Sequence, residues 1–247
     1  MSETWKIVIP ADFPVEYCGF HIFNFRFSAP LSAKDADQIN LTEVERQRAT
    51  KFHRRIDRNR FVVGRSMLRQ ALGVVLEVNP KSVPISIEKG RPFLDPSVNE
   101  SVFFNISHSG NSVMLIFSRD NQPGIDVEIH ADYLDMDQVA KRVMTRDEFD
   151  SYINMEPIHR GEAFYRLWVR KEAVLKCMGT GFGIEPKKIS VGHDPQPLCE
   201  SIFEGKRYLI HQYLHAHEDR PHYWAFAYAG NNEYAKFQSY PVAGRIL

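Results

Sequence analysis

The sequence predicts an α+β fold made of two similar halves, and three observations lead to it. The first is an internal repeat. Residues 60–73 line up without gaps on residues 166–179, with Arg60 on Arg166, Val63 on Val169 and Gly73 on Gly179. The register continues to Pro80-Lys81 on Pro186-Lys187. After a two-residue gap, Ile85-Ser86-Ile87 matches Ile189-Ser190-Val191. The second is the order of signals in each unit: a helix, a glycine stop, a Pro-Lys turn and a strand. Each unit follows a helix start with threonine as N-cap, Thr42 in LTEVERQ and Thr145 in MTRDEFD. The third is a pair of hairpins, residues 102–106 with 112–117 and residues 207–211 with 223–228. The halves are then 1–123 and 124–247, related by pseudo-twofold symmetry, with the active site at their interface.

Composition is that of a soluble globular chain. No basic stretch precedes a long apolar run at the N-terminus, so no signal peptide is expected. No apolar stretch approaches the roughly 20 residues that span a bilayer. Three scattered cysteines without metal spacing (Cys18, Cys177, Cys199) point to reduced thiols in the cytoplasm. The net charge is zero but unevenly spread. Residues 46–69 hold Arg46, Arg48, Lys51, Arg54, Arg55, Arg58, Arg60, Arg65 and Arg69 against the single acid Asp57. Such a run is either a solvated helix face or a site for a polyanion.

Four segments carry chemistry. In Gly124-Ile125-Asp126-Val127-Glu128 the apolar residues alternate with acids. On a strand both carboxylates share one face, where a hard cation such as Mg²⁺ would relieve their repulsion. On a helix over about 161–178, Phe164, Leu167, Trp168, Val174, Leu175 and Met178 form one apolar arc, with Glu172 and Lys176 adjacent on its shoulder. These two form either a surface ion pair or a third metal carboxylate beside a phosphate-facing lysine. Lys171 falls inside the arc, where it needs a partner or must snorkel. The segment FNISHSG (residues 104–110) reads as a strand ending in a polar turn. Ser107 and His108 are neighbours on that strand and point to opposite faces, which rules out a nucleophile and base pair. A phosphate-binding turn fits better. Lys89-Gly90-Arg91-Pro92 is a turn presenting two cations.

Taken in order, KGRP, FNISHSG, GIDVE and WVRKEAVLKCMGTGF closely resemble the motif series of the surfactin-type 4'-phosphopantetheinyl transferases. The motif stretch runs over residues 89–182, and the basic region extends it upstream. The resemblance implies transfer of the 4'-phosphopantetheine group from coenzyme A to a serine of an apo-carrier protein (acyl, peptidyl or polyketide), with release of 3',5'-ADP. It implies Mg²⁺, or Mn²⁺ in its place, on Asp126, Glu128 and Glu172. Coenzyme A, the co-substrate, would be bound by Arg48, Arg60, Arg91, Ser107, His108 and Lys176. Catalysis would rest on Glu172, Lys176 and His108. The general base is either Glu172 or a water on the metal. Where the family has a further lysine, Glu45 stands. The duplicated form implies a monomer; neither nucleic acid nor membrane is expected as a partner.

Three other classes compete on the residues alone. They are a nucleic-acid-binding module using residues 46–69, a silent coenzyme A-binding scaffold, and a metal-dependent hydrolase. The basic run lacks the interleaved aromatics of a single-strand platform, and three carboxylates repel a phosphate backbone unless metal is bound.

Overall fold

The structure, a computed structural model, describes residues 15–17, 20–26, 40–88, 90–98, 101–131, 135–179, 183–216 and 220–230. Cys18, Lys89 and residues 180–182 at the end of the last motif lie outside these.

Two antiparallel sheets form the centre. Strands β1 (Val15–Tyr17), β2 (Phe20–Arg26), β5 (Phe103–Ser109) and β6 (Ser112–Ser118) make the first, in the order β1-β2-β6-β5. Strands β7 (Pro123–Ile129), β8 (Leu198–Phe203), β9 (Lys206–Ala216) and β10 (Pro221–Ala229) make the second, in the order β7-β10-β9-β8. A separate hairpin joins β3 (Ile85–Glu88) to β4 (Arg91–Leu94). Both predicted hairpins form, β5 with β6 and β9 with β10, the second longer than expected.

Each sheet carries one long helix. Helix α2 (Arg55–Val75) covers the first and α5 (Pro157–Met178) the second. The shorter helices are α1 (Glu43–Ala49), α3 (Met136–Val143) and α4 (Arg146–Ile153). The sheets pack face to face, so the layers run helix, sheet, sheet, helix. Strand periodicity divides the side chains accordingly. On β6, Val113, Leu115 and Phe117 face α2 while Met114 and Ile116 face the second sheet. On β10, Tyr223, Ala225 and Ala227 face α5 while Trp224, Phe226 and Tyr228 face the first sheet. Phe20 meets Tyr228 across the middle at 4.8 Å.

Both short helices that lead into the long ones start as expected. Thr42 caps α1 and Thr145 caps α4, each in a reciprocal capping box with Glu45 or Glu148. The two glutamates then reach the long helices. Glu45 takes Arg65 and Arg69 at 3.4 and 2.7 Å, and Glu148 takes Lys171 at 2.7 Å. Beyond the long helices, Arg69 donates to the carbonyls of Pro80, Lys81 and Val83, and Lys171 to those of Pro186 and Ile189. The repeated order of elements is therefore accompanied by a repeated set of internal contacts.

Two expectations need correction. Residues 189–191 form no strand; buried Ile189 and Val191 give their carbonyls to Lys171 and to the fully buried Arg170, and that backbone is not free to join a ladder. The basic run is not one surface face, because Arg65 and Arg69 are buried on Glu45. Glu45, which stands where the family has a further lysine, ties α1 to α2 through these two pairs. Of the two possibilities for Lys171 the first holds: it is 0% exposed and ion-paired with Glu148.

His211, on β9, stacks on Phe226 at 4.6 Å within the layer between the sheets. Burial pushes its imidazole down to about 4. The folded protein therefore holds His211 neutral, and its contribution is complete above the ordinary value near 6.5. It is lost as pH falls from there towards 4. Stability should drop by about 2 kcal/mol more between pH 7.5 and 5 in the wild type than in His211→Phe. Urea unfolding at both pH values measures this, and equal slopes for the two proteins would remove His211 as the cause.

Candidate active site

The two sheets also meet edge to edge, where β5 runs beside β7. The outward amides of β7 pair with side chains of β5, not with backbone. Asn105 Oδ1 accepts from Ile125 N at 3.1 Å, Ser107 Oγ from Val127 N at 3.4 Å and Ser109 Oγ from Ile129 N at 3.2 Å. Period-two spacing on both strands produces this ladder. It leaves His108 on the opposite side of β5, exposed, as its neighbour relation to buried Ser107 requires.

The same hydroxyls point at acids. Ser107 Oγ donates to Asp126 Oδ1 at 2.8 Å, and Ser109 Oγ donates to Glu128 Oε2 at 2.7 Å. Ile125 and Val127 lie in the layer between the sheets, so the predicted alternation holds and both acids face α5. From α5, Lys176 Nζ reaches Asp126 Oδ1 at 2.5 Å and Ser107 Oγ at 3.0 Å. Trp168 Nε1 donates to Glu128 Oε1 at 3.4 Å.

Helix α5 can come this close because its partner surface is flat. Ala225 and Ala227 lie under it, and a Cβ on Gly124 would fall within 3.0 Å of the Ala173 carbonyl oxygen and the Cys177 nitrogen. The helix ends at Gly179, whose φ of 71° lies in the left-handed region.

The seam holds more negative charge than it neutralises. Burial pushes Glu172 up to about 7, with Asp126 adding to the effect, Lys176 opposing it and Glu128 contributing least. Burial and then Asp126 raise Glu128 as well, against Ser109, Trp168 and Lys176. Asp126 is 3% exposed, and its Oδ2 is buried without a hydrogen-bond partner. Among the described residues no three His, Cys, Asp or Glu side chains are already gathered as a metal cage. Lys176 occupies part of that space. An orphaned carboxylate oxygen and two acids held above their ordinary range nevertheless match the donor set of a hard, oxygen-seeking cation.

The basic residues lie around this seam at different distances. Arg60 Nε donates to the carbonyl of Gly110 at 2.8 Å and NH1 pairs with Asp57 at 3.1 Å, which ties α2 to the turn after Ser109. Surrounding protein lowers His108 even though its ring edge is open, and Arg60 and Lys176 add to this against Asp126. Arg91 folds inward rather than presenting itself on a turn. Its guanidinium lies against Gly179 at the end of α5, and its NH2 is buried without a partner. Arg48 stands exposed on α1, its guanidinium 5.3 Å from the centre of the Phe61 ring. Ser107, Asp126 and Lys176 are thus in direct contact and Glu128 and Glu172 are coupled to them. Arg48 makes no described contact with this group.

Asn105, Ser109 and Trp168 join the site without a role predicted for them from the sequence, Trp168 having been placed only in the apolar arc. The alternation of Asn105, Ser107 and Ser109 was a visible sign that one whole face of β5 is polar.

Two family profiles match the chain. One, described as "4'-phosphopantetheinyl transferase, N-terminal", covers residues 34–119, and the other, "4'-phosphopantetheinyl transferase superfamily", covers residues 122–235. The 4'-phosphopantetheinyl transferase HetI of Nostoc sp. is 32% identical over 163 residues, 65% of this chain and 69% of the relative. The 4'-phosphopantetheinyl transferase AcpT of Escherichia coli is 30% identical over 122 residues, 49% of this chain and 58% of the relative. The 4'-phosphopantetheinyl transferase Sfp of Bacillus subtilis is 26% identical over 174 residues, 69% of this chain and 75% of the relative.

Proposed function

The chain belongs to the 4'-phosphopantetheinyl transferase superfamily, and on that premise we propose that it is an enzyme of the surfactin type. It moves the 4'-phosphopantetheine group of coenzyme A onto a serine of an apo-carrier protein (acyl, peptidyl or polyketide) and releases 3',5'-ADP. The observation that carries the reading is the seam between β5, β7 and α5. There the buried Asp126 Oδ2 lacks a partner, and Glu128 and Glu172 are held above their ordinary range.

Asp126, Glu128 and Glu172 would hold Mg²⁺, or Mn²⁺ in its place. Once bound, the ion supplies positive charge to the pyrophosphate of coenzyme A. The remaining chemistry belongs to side chains. Lys176, on a flexible stem beside Asp126, turns to the phosphate oxygens and stabilises charge on the departing 3',5'-ADP. His108 donates to phosphate from the open side of β5. Its neutral ring still carries one N–H. Arg60 and Arg91 bind the nucleotide end, Arg60 from beneath the hairpin turn and Arg91 from the end of α5, while exposed Arg48 adds long-range attraction. Ser107 fixes Asp126 and Lys176 relative to each other. The proton that the carrier serine loses as it attacks the β-phosphate passes to Glu172 or to a water in the seam. All these groups come from one chain, which supports a monomer. We place the protein in the cytoplasm, with no nucleic-acid or membrane partner. Among the described residues no helix is long and apolar enough to cross a membrane.

The test is the intact mass of a panel of apo-carriers after incubation with protein, coenzyme A and Mg²⁺. The expected result is a gain of one phosphopantetheine group, lost in EDTA and restored by Mg²⁺. Coenzyme A binding without transfer to any carrier would favour a silent scaffold. Absence of both coenzyme A binding and transfer would overturn the proposed role of the seam.

A further inference from the structure

We propose that Ser109 is a positioning residue, holding the Glu128 carboxylate in the one orientation from which it can serve the seam. This rests on the reading of Asp126, Glu128 and Glu172 as cation ligands.

The direction of the hydroxyl is set by its surroundings. Ser109 Oγ accepts a hydrogen from Ile129 N at 3.2 Å, and its single proton goes to Glu128 Oε2 at 2.7 Å. The other carboxylate oxygen meets Trp168 Nε1 at the longer distance of 3.4 Å. Glu128 is a long side chain, and only partly buried, so it has rotamers to lose. The short bond from Ser109 is the stronger of its two tethers. The same arrangement recurs two residues earlier, where Ser107 serves Asp126. Equal spacing on β5 and β7 matches each hydroxyl to one acid, so the first half of the chain aligns ligands that belong to the second.

Groups that orient a ligand without touching the ion typically change metal affinity by about 10–100-fold when removed. Ser109→Ala should weaken Mn²⁺ binding at least tenfold, read from the spectroscopic signal of free Mn²⁺ during titration in the presence of coenzyme A. Coenzyme A affinity measured calorimetrically in EDTA should stay at the wild-type value. Ser109→Thr, which keeps the hydroxyl, should recover most of the Mn²⁺ affinity. Wild-type Mn²⁺ affinity in Ser109→Ala would overturn the role, as would a Thr variant as weak as the Ala variant, since that marks lost packing. If the wild type itself took up no Mn²⁺, the ligand reading would fall and this role with it. That outcome is distinct from a defect confined to the variant.

Discussion

Replacing Gly124 with Ala is expected to destabilise the protein by about 3 kcal/mol and to slow transfer about 100-fold or more. The added methyl would meet backbone, not the end of a movable side chain. Its neighbours are the Ala173 carbonyl oxygen and the Cys177 nitrogen, both under 3.0 Å, with the Cys177 Cα at 3.0 Å. No rotamer relieves such a clash, so α5 must lift or β7 must bend. Either movement acts on the site directly. Lys176 precedes Cys177, Glu172 precedes Ala173, and both project from the part of α5 that would be displaced. Asp126 lies two residues along β7 from the substitution. A shift of an ångström changes where the Lys176 stem starts relative to Asp126, which it now reaches at 2.5 Å. Urea midpoints give the stability effect. Transfer measured at low temperature, where the variant is folded, gives the effect on the site. A stable Gly124→Ala protein with wild-type transfer would show that α5 is not seated as described.

How far the site could be read from the chain depends on how local each relation is. The alternation in GIDVE is local, and the strand delivers it: Ile125 and Val127 go between the sheets, Asp126 and Glu128 towards α5. The pairing of β5 side chains with β7 amides is not local, because it depends on two sheet edges meeting. The basic run failed for a related reason. Counting charge over residues 46–69 cannot show that Arg65 and Arg69 turn inward to Glu45, which lies 24 residues before Arg69. The threonine caps were legible, and so was the glutamate three places after each. Its second function was not, because the Glu148 carboxylate also accepts from Val191 N, 43 residues away.

The N-terminal and C-terminal parts each pair a capped short helix and a long helix with a four-stranded sheet, but their chemistry differs. Phe23 and Phe25 of β2 stack at 6.0 Å and pack towards α2, just as Asp126 and Glu128 of β7 face α5. Aromatic rings in the first half stand where the second half places acids. The second half therefore supplies the acids and the first half supplies the hydroxyls that hold them.

Removing one partner of the Glu148 and Lys171 pair is expected to cost about 3–5 kcal/mol, in either Glu148→Leu or Lys171→Met. Lys171 is 0% and Glu148 2% exposed, so the survivor would keep its charge without water. Burial already lowers Lys171, and Glu148 is what opposes it. Each partner also bridges elements. Glu148 accepts from Thr145 N and Val191 N, and Lys171 donates to the carbonyls of Pro186 and Ile189. The double variant removes both charges, so it should cost little more than either single one. A coupling energy close to the cost of one single variant, about 3 kcal/mol or more, is expected from the cycle. Additive losses in urea unfolding would mean that the pair is not interacting in the folded protein. Lys171 also stands next to Glu172 on α5, so the single variants, kept folded at low temperature, should lose transfer through Glu172. The double variant, which strands no buried charge beside that turn, should retain more of it.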